Sequence, residues 1–310
     1  MRRAPLRLAV GVGQLVVVAV VVFFLTTSLP GDTAEIVLGQ DATPEQVAAL
    51  RAQLGTDRPA GERFADWASG VLAGDLGRSL QTGQPVVTEL STRLGSTALL
   101  AALTLLLLLP LAVLAGTAAG RRAGSSLDRG LTGFLSSVQA APEFALGLLL
   151  VALFALQLGW VPATGGGGGL VTPAVLVLPV VVLVANQLGR LARQVRAGVL
   201  TVDRAPHVVH LRRLGLPEPV VLARHVLPGA VLPTIQQLAR VVDGLLGGVV
   251  VVESLFALPG IGSGFVEAVR ARDLPLVGGY ALLFAATTIL VNLAAGLLSA
   301  RLTPYRAVLT

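Results

Sequence analysis

Apolar runs of twenty or more residues recur along this chain, beginning with Leu8 to Leu29, where 22 consecutive residues carry no charge. A run of that length crosses about 30 Å of hydrocarbon at about 1.5 Å per helical residue, so the pattern predicts a polytopic membrane protein built from helices. Composition agrees: 54% of the 310 residues are hydrophobic and 13% are charged, about half the charged share of a soluble domain. The first run follows Arg2, Arg3 and Arg7 as a signal peptide would, but it exceeds a signal core and lacks a small-x-small cleavage pattern after it. It reads as a spanning helix.

Five further crossings are expected at Gly95 to Gly120, Gly130 to Trp160, Leu170 to Gly189, Pro228 to Val252 and Pro275 to Ala300, which makes six and puts both termini on one side. With cytoplasmic termini, fifteen of the 23 arginines fall inside and seven outside, while Arg240 lies within the fifth span. That bias obeys the positive-inside rule. Residues 30–94 then form an external segment, in which Thr43 as N-cap and Pro44 at the first helical position open a short helix ending at Gly55. A second amphipathic helix there presents Phe64, Trp67, Ala68 and Val71 on one face, suited to the membrane interface or to packing on the bundle.

All 23 basic residues are arginine. Without lysine the chain has neither a Walker A loop nor a Schiff-base catalyst, and without cysteine it has no thiolate or disulfide chemistry. His207, His210 and His225 share one arginine-rich loop without a carboxylate cluster, so they read as solvated residues and no metal site is assigned. No catalytic residue is assigned either.

That loop, residues 190–227, holds seven arginines and is the longest inner stretch. The fourth helix is expected to continue through Val202, with Arg190, Arg193 and Arg196 on roughly one face, able to meet headgroups or an acidic partner. Pro206 starts a short helix with Val208, Val209, Leu211 and Leu214 as its apolar stripe, and Gly215 stops it. Two helical turns do not hold in water alone, so this helix requires a surface to dock on.

Within the spans, Glu143, Arg240 and Asp243 are ionisable, and a charge at mid-bilayer costs roughly 2.5 to 3.5 kcal/mol on insertion scales. They should therefore face protein or water. Arg240 and Asp243, three apart, are expected to neutralise each other or to line a polar path for a zwitterionic solute. Glu253, at the outer end of the fifth span before LFALPGIG, is a candidate for a capped turn or an outer gate.

Taken in order, LPGD at Leu29, LGTDRP at Leu54, GDLGRS at Gly74, RLGST at Arg93, PEFALGLLL at Pro142, LGWVPATG at Leu158, GLLGGVVVVESLFALPGIG at Gly244 and RDLPLVGG at Arg272 resemble the inner-membrane permease subunit of dipeptide, oligopeptide and nickel ABC importers. The resemblance implies an all-α, type I importer permease fold with six spans. It also implies an ATPase-docking segment matched by Arg193, Arg196, Arg212 and Gly215, with Ala205, Leu211 and Arg213 in the same stretch. Pro206 and His207 depart from the acidic residue and tyrosine usual in the family, and Leu211 from its alanine. The implied partners are a second permease subunit, two ATP-binding subunits that hold ATP and Mg, an external substrate-binding protein and lipid; no nucleic acid is implied. A gradient-driven secondary transporter and a membrane enzyme share the helical pattern. The former usually shows repeated halves, absent here, and the latter a catalytic neighbour for Glu143 or Asp243, also absent.

Overall fold

The computed structural model describes residues 4–27, 38, 42–55, 57–165 and 172–302. The LPGD segment, the glycines after Gly165 and residues 303–310 lie outside them. The described chain is helical, with one isolated β-bridge between Arg78 and Pro85. The chain divides into two compact units, Met1–Gly95 with Pro259–Leu290, and Ser96–Leu258 with Val291–Thr310.

In the first unit, α1 (Ala4–Thr27) is followed by α2 (Pro44–Leu54) and α3 (Ala60–Leu72). Thr43 and Gln46 close a reciprocal capping box on α2, and Gly55 ends it in the left-handed region at φ 64°. The aromatic face of α3 packs on α1: Phe23 of α1 sits 5.3 Å from Phe64 and 5.4 Å from Trp67, ring centre to ring centre. Further on, α11 (Ile261–Arg270) packs Ile261 and Ala268 with Val86, Leu90 and the fully buried Tyr280. Asp273, 1% exposed, accepts from the Ser79 hydroxyl at 2.5 Å and from the amide of Leu276, so one carboxylate fastens the segment before Val86 to the start of α12 (Leu274–Leu302).

The second unit is arranged around α7 (Pro173–Asp203), whose buried positions include Leu176, Val180, Leu183, Leu191, Val195 and Val199. Against it lie α4 (Val86–Arg121) from Ser96 onward, α5 (Ser126–Ala140), α6 (Glu143–Leu150) and α10 (Leu227–Leu255). Glycines set these approaches: a Cβ on Gly116 would come 2.6 Å from Val195 Cβ, and one on Gly189 would come 2.8 Å from the Leu135 carbonyl oxygen.

Three described helices are long and apolar enough to cross a membrane: α4, α7 and α12 up to Gly296. The stretch Gly130 to Trp160 is not one straight helix. Pro142 forces the residue before it out of the α region, Ala141 is extended at ψ 134°, and α5 and the continuation Glu143–Gln157 meet at 101°. The pair is a broken span or a re-entrant turn, and α6 runs on as a π-helical Val151–Gln157.

Candidate functional site

The segment expected on the inner side grows out of α7. After Asp203 the backbone leaves the helix, Ala205 is extended at ψ 141°, and Pro206 opens α8 (Pro206–Arg213) with a fixed φ and no orphaned N–H. Leu214 and Gly215, the latter at φ 81°, close it: the Gly215 amide donates to the Arg212 carbonyl at 3.0 Å and the Leu216 amide to the Leu211 carbonyl at 3.3 Å. A short α9 (Glu218–Val221) then leads through a π-helical turn into α10.

The surface that α8 needs is supplied by its own chain. Val208 is fully buried in a cluster with Val195 and Val199 of α7, Val221, Val226 and Ala230, and Ala205 and Leu211 pack at its edge. An eight-residue helix is thereby held in place without a partner.

Of the arginines expected to dock, Arg193, Arg196 and Arg212 are bonded within the chain. Arg212 donates from Nε and Nη2 to Glu218 at 3.0 Å each, from Nη2 to Asp203 Oδ1 at 2.5 Å and from Nη1 to the Asp203 carbonyl. Arg121 at the end of α4 adds a bond to Glu218 at 3.0 Å. One guanidinium thus ties the end of α7, α8 and the start of α9 together. The hydrogen bonds from Arg212 hold the Glu218 carboxyl below its ordinary range, and Glu218 and then Asp203 raise the Arg212 guanidinium further above its own. Arg196 grips Asp128 of α5 through two bonds, which with the Gly124 amide keep that carboxyl far below the carboxylate range. Arg193 donates to Ser136 and Gln139 of the same helix.

Arg204, His207, His210 and Arg213 remain exposed, spaced three apart, with Leu214 beyond them at 63% exposure and Gly215 at the turn. The result is a basic strip with an apolar tip. Sequence reasoning counted Leu214 in the apolar stripe but passed over Arg204, His207 and His210 in this role, although the three-residue spacing was visible.

The three charges expected within spans separate. Arg240 is exposed, and among the described residues no ion pair joins it to Asp243. Asp243 Oδ2 instead accepts from Asn292 Nδ2 at 3.4 Å, and its Oδ1 is buried without a partner among the described residues. The expected neutralisation fails because Arg240 extends from the surface of α10 while the carboxylate turns inward. Glu143, half-buried at the start of α6, lies against Gly248, where a Cβ would come 2.7 Å from its Oε2. Glu253 is 1% exposed and accepts from the Thr97 hydroxyl of α4 at 2.5 Å.

Comparison with known proteins follows the same lines. Residues 109–306 match the family described as binding-protein-dependent transport system inner membrane component, and residues 2–101 match the N-terminal region of the corresponding membrane component. A protein of Brucella abortus whose name describes a peptide transport system permease is 35% identical over 295 residues, covering 93% of this chain and 94% of its own. The glutathione transport system permease protein GsiC of Salmonella choleraesuis is 33% identical over 295 residues, covering 94% of each. Among solved structures, an amino acid ABC transporter crystallised with histidines superposes with a TM-score of 0.51 at 18% identity, over 69% of this chain and 94% of that one, which supports the fold. The chain therefore belongs to the binding-protein-dependent transport system inner membrane components, and it is a multi-pass permease subunit of an ABC importer in the inner membrane.

Proposed function

We propose that this subunit forms half of a translocation path for peptides or related small solutes, pairing with a second permease subunit, two ATP-hydrolysing subunits on the cytoplasmic side and an external binding protein that delivers the solute. Six crossings with cytoplasmic termini fit the arginine distribution. Relatives named for peptide and glutathione transport support the solute class.

The observation that carries the coupling role is the row His207, His210 and Arg213, with Leu214 at its tip and Arg204 before it at the end of α7, borne on a helix whose inner face is already buried. A strip with arginine at both ends and one exposed leucine at its tip matches an acidic groove with an apolar floor on an ATP-hydrolysing partner. Arg212 and the valine cluster make α8 move with α7 and α10 as one body, so a displacement imposed on the strip reaches the helices of the path. ATP and Mg belong to the partner subunits, and this chain's part is mechanical. Glu143 and Arg240 supply polar groups to the path, while Glu253 supports the turn after α10 from within the bundle.

Because the chain contains no cysteine, Leu214→Cys places a single thiol at the tip. In the assembled complex it should cross-link to an ATP-hydrolysing subunit and stay unlabelled by an impermeant maleimide on intact cells. External labelling, or solute uptake driven by an ion gradient without ATP, overturns the reading.

A further inference from the structure

One face of α10 carries Arg240, Asp243, Gly244 and Gly247, positions i, i+3, i+4 and i+7, and Gly248 borders it. Two polar side chains from other helices reach this face. The Glu143 carboxylate of α6 lies over Gly248 and has no hydrogen-bond partner among the described residues. One turn along, Gln187 of α7 lies over Gly244, where a Cβ would come 2.7 Å from its Nε2 and 3.4 Å from its Oε1. Gln187 is 2% exposed, and its Oε1 has no partner among the described residues, although its Nε2 donates to Asn186 at 3.4 Å. A buried carbonyl oxygen and a carboxylate, both acceptors and both unserved, are completed by a donor with several N–H groups. Gly247, exposed and with nothing within 4 Å of where its Cβ would be, leaves the approach open.

At the other end of the face stands Arg240, exposed and without an ion pair among the described residues. Seven to eight residues of helix separate Arg240 from Gly247 and Gly248, on the order of 11 Å along the axis. An extended peptide covers at most about 3.3–3.6 Å per residue, so three residues span that distance. Asp243, between the two ends, is turned to Asn292 and buries its other oxygen, so it leaves the strip to the two outer charges.

We infer that this face of α10 is a zwitterion-binding strip in the path for peptides of about three residues, with Glu143 and Gln187 receiving the N-terminal ammonium and Arg240 the C-terminal carboxylate. Opposite fixed charges at matched spacing distinguish such a peptide from one blocked at either end, since a buried or half-buried charge left unpaired is disfavoured. The assignment rests on the peptide-importer reading above.

The test uses the purified, fully assembled complex in lipid nanodiscs and equilibrium dialysis with tri-alanine, N-acetyl-tri-alanine and tri-alaninamide, without the binding protein. The wild type should bind tri-alanine at least about tenfold more tightly than either blocked peptide. Glu143→Gln should remove the preference over the acetylated peptide alone, and Arg240→Gln the preference over the amide alone. Gln187→Leu, which replaces an orphaned polar group by an apolar one of similar size and is tolerated in packing, should weaken tri-alanine by at least about threefold. Equal binding of all three peptides by the wild type, or wild-type affinity in Gln187→Leu, overturns the strip even if the Glu143 variant fails to assemble. Separately, ATP-driven uptake of tri-alanine by wild-type proteoliposomes supplied with binding protein reports on the importer reading. Uptake without strip binding sinks this inference alone, and absence of peptide uptake sinks the reading beneath it.

Discussion

Arg196 and Asp128 meet through two parallel hydrogen bonds, Nε to Oδ1 at 2.6 Å and Nη2 to Oδ2 at 2.7 Å, which join α7 to α5 across 68 residues of sequence. Asp128 is 3% exposed and also accepts from the Gly124 amide, so it closes the turn between α4 and α5 while holding the C-terminal half of α7. The bidentate fork is the strong form of this contact, and lysine would not reproduce it.

Because the folded carboxyl titrates below its unfolded value, the pair's contribution is fully present above about pH 4 and is lost as pH falls from there through the depressed native value. Asp128→Asn should lower the melting temperature of the purified complex at neutral pH, and the gap to wild type should narrow below about pH 4. Combining Asp128→Asn with Arg196→Gln should cost less than the sum of the two single changes. A pH-independent gap, or additive losses, would place the stabilisation elsewhere.

Arg212 and Arg213 are neighbours with different work. Arg212 is bonded to both Asp203 and Glu218, whereas Arg213 projects from the surface of α8. Arg212→Gln should loosen the loop, seen as faster proteolysis between Asp203 and Glu218 in the complex. Arg213→Glu should leave that cleavage rate unchanged and weaken association with the ATP-hydrolysing subunits by at least about tenfold, an effect that shrinks as salt is raised from low ionic strength. Matching phenotypes in the two variants would refute the division of labour.

How far the sequence carried this picture depended on the range of the interaction. The start of α8 at Pro206, its stop at Gly215 and the Thr43 cap are set by residues within four positions of one another, and all were legible. The fate of Arg196 was not, because its partner Asp128 lies in another helix and nothing local distinguishes a paired arginine from a docking one. Likewise the stripe of α8 correctly demanded a surface, but that Val195, Val199 and Ala230 provide it follows only from how α7 and α10 pack. Pro142 was visible as an interruption within a span, yet the 101° bend it permits depends on α5 and α6 each finding their own place against α7 and α10.

That packing rests on a close approach at Gly198. A Cβ there would overlap the Ala230 carbonyl oxygen and lie 2.9 Å from the Ala230 Cα, and backbone atoms cannot turn aside as a side chain can. Gly198→Ala should cost about 1–3 kcal/mol as overpacking and lower both yield and melting temperature of the complex. Gly247→Ala on α10, which meets nothing within 4 Å, should change stability by less than about 0.5 kcal/mol. The contrast between the two, read by thermal melts in one detergent, checks the crossing of α7 and α10 directly.

Glu253 offers a test of frame against gate. Its carboxylate is 1% exposed and bonded to the Thr97 hydroxyl at 2.5 Å, and its carbonyl accepts from the Leu258 amide at 2.9 Å, beside Ala257 at φ 51°. A buried carboxylate short of one donor is destabilising, so Thr97→Val, nearly equal in shape, should cost about 1–3 kcal/mol, while Thr97→Ser retains the hydroxyl and should cost less. Glu253→Gln combined with Thr97→Val should be less harmful than the two losses added, since the two groups serve each other. Melting temperature and transport rate should then fall together for every solute supplied, because the turn after α10 is loosened irrespective of what passes it. A change in preference between solutes at an unaltered melting temperature would instead put Glu253 in contact with the cargo and make it part of the gate.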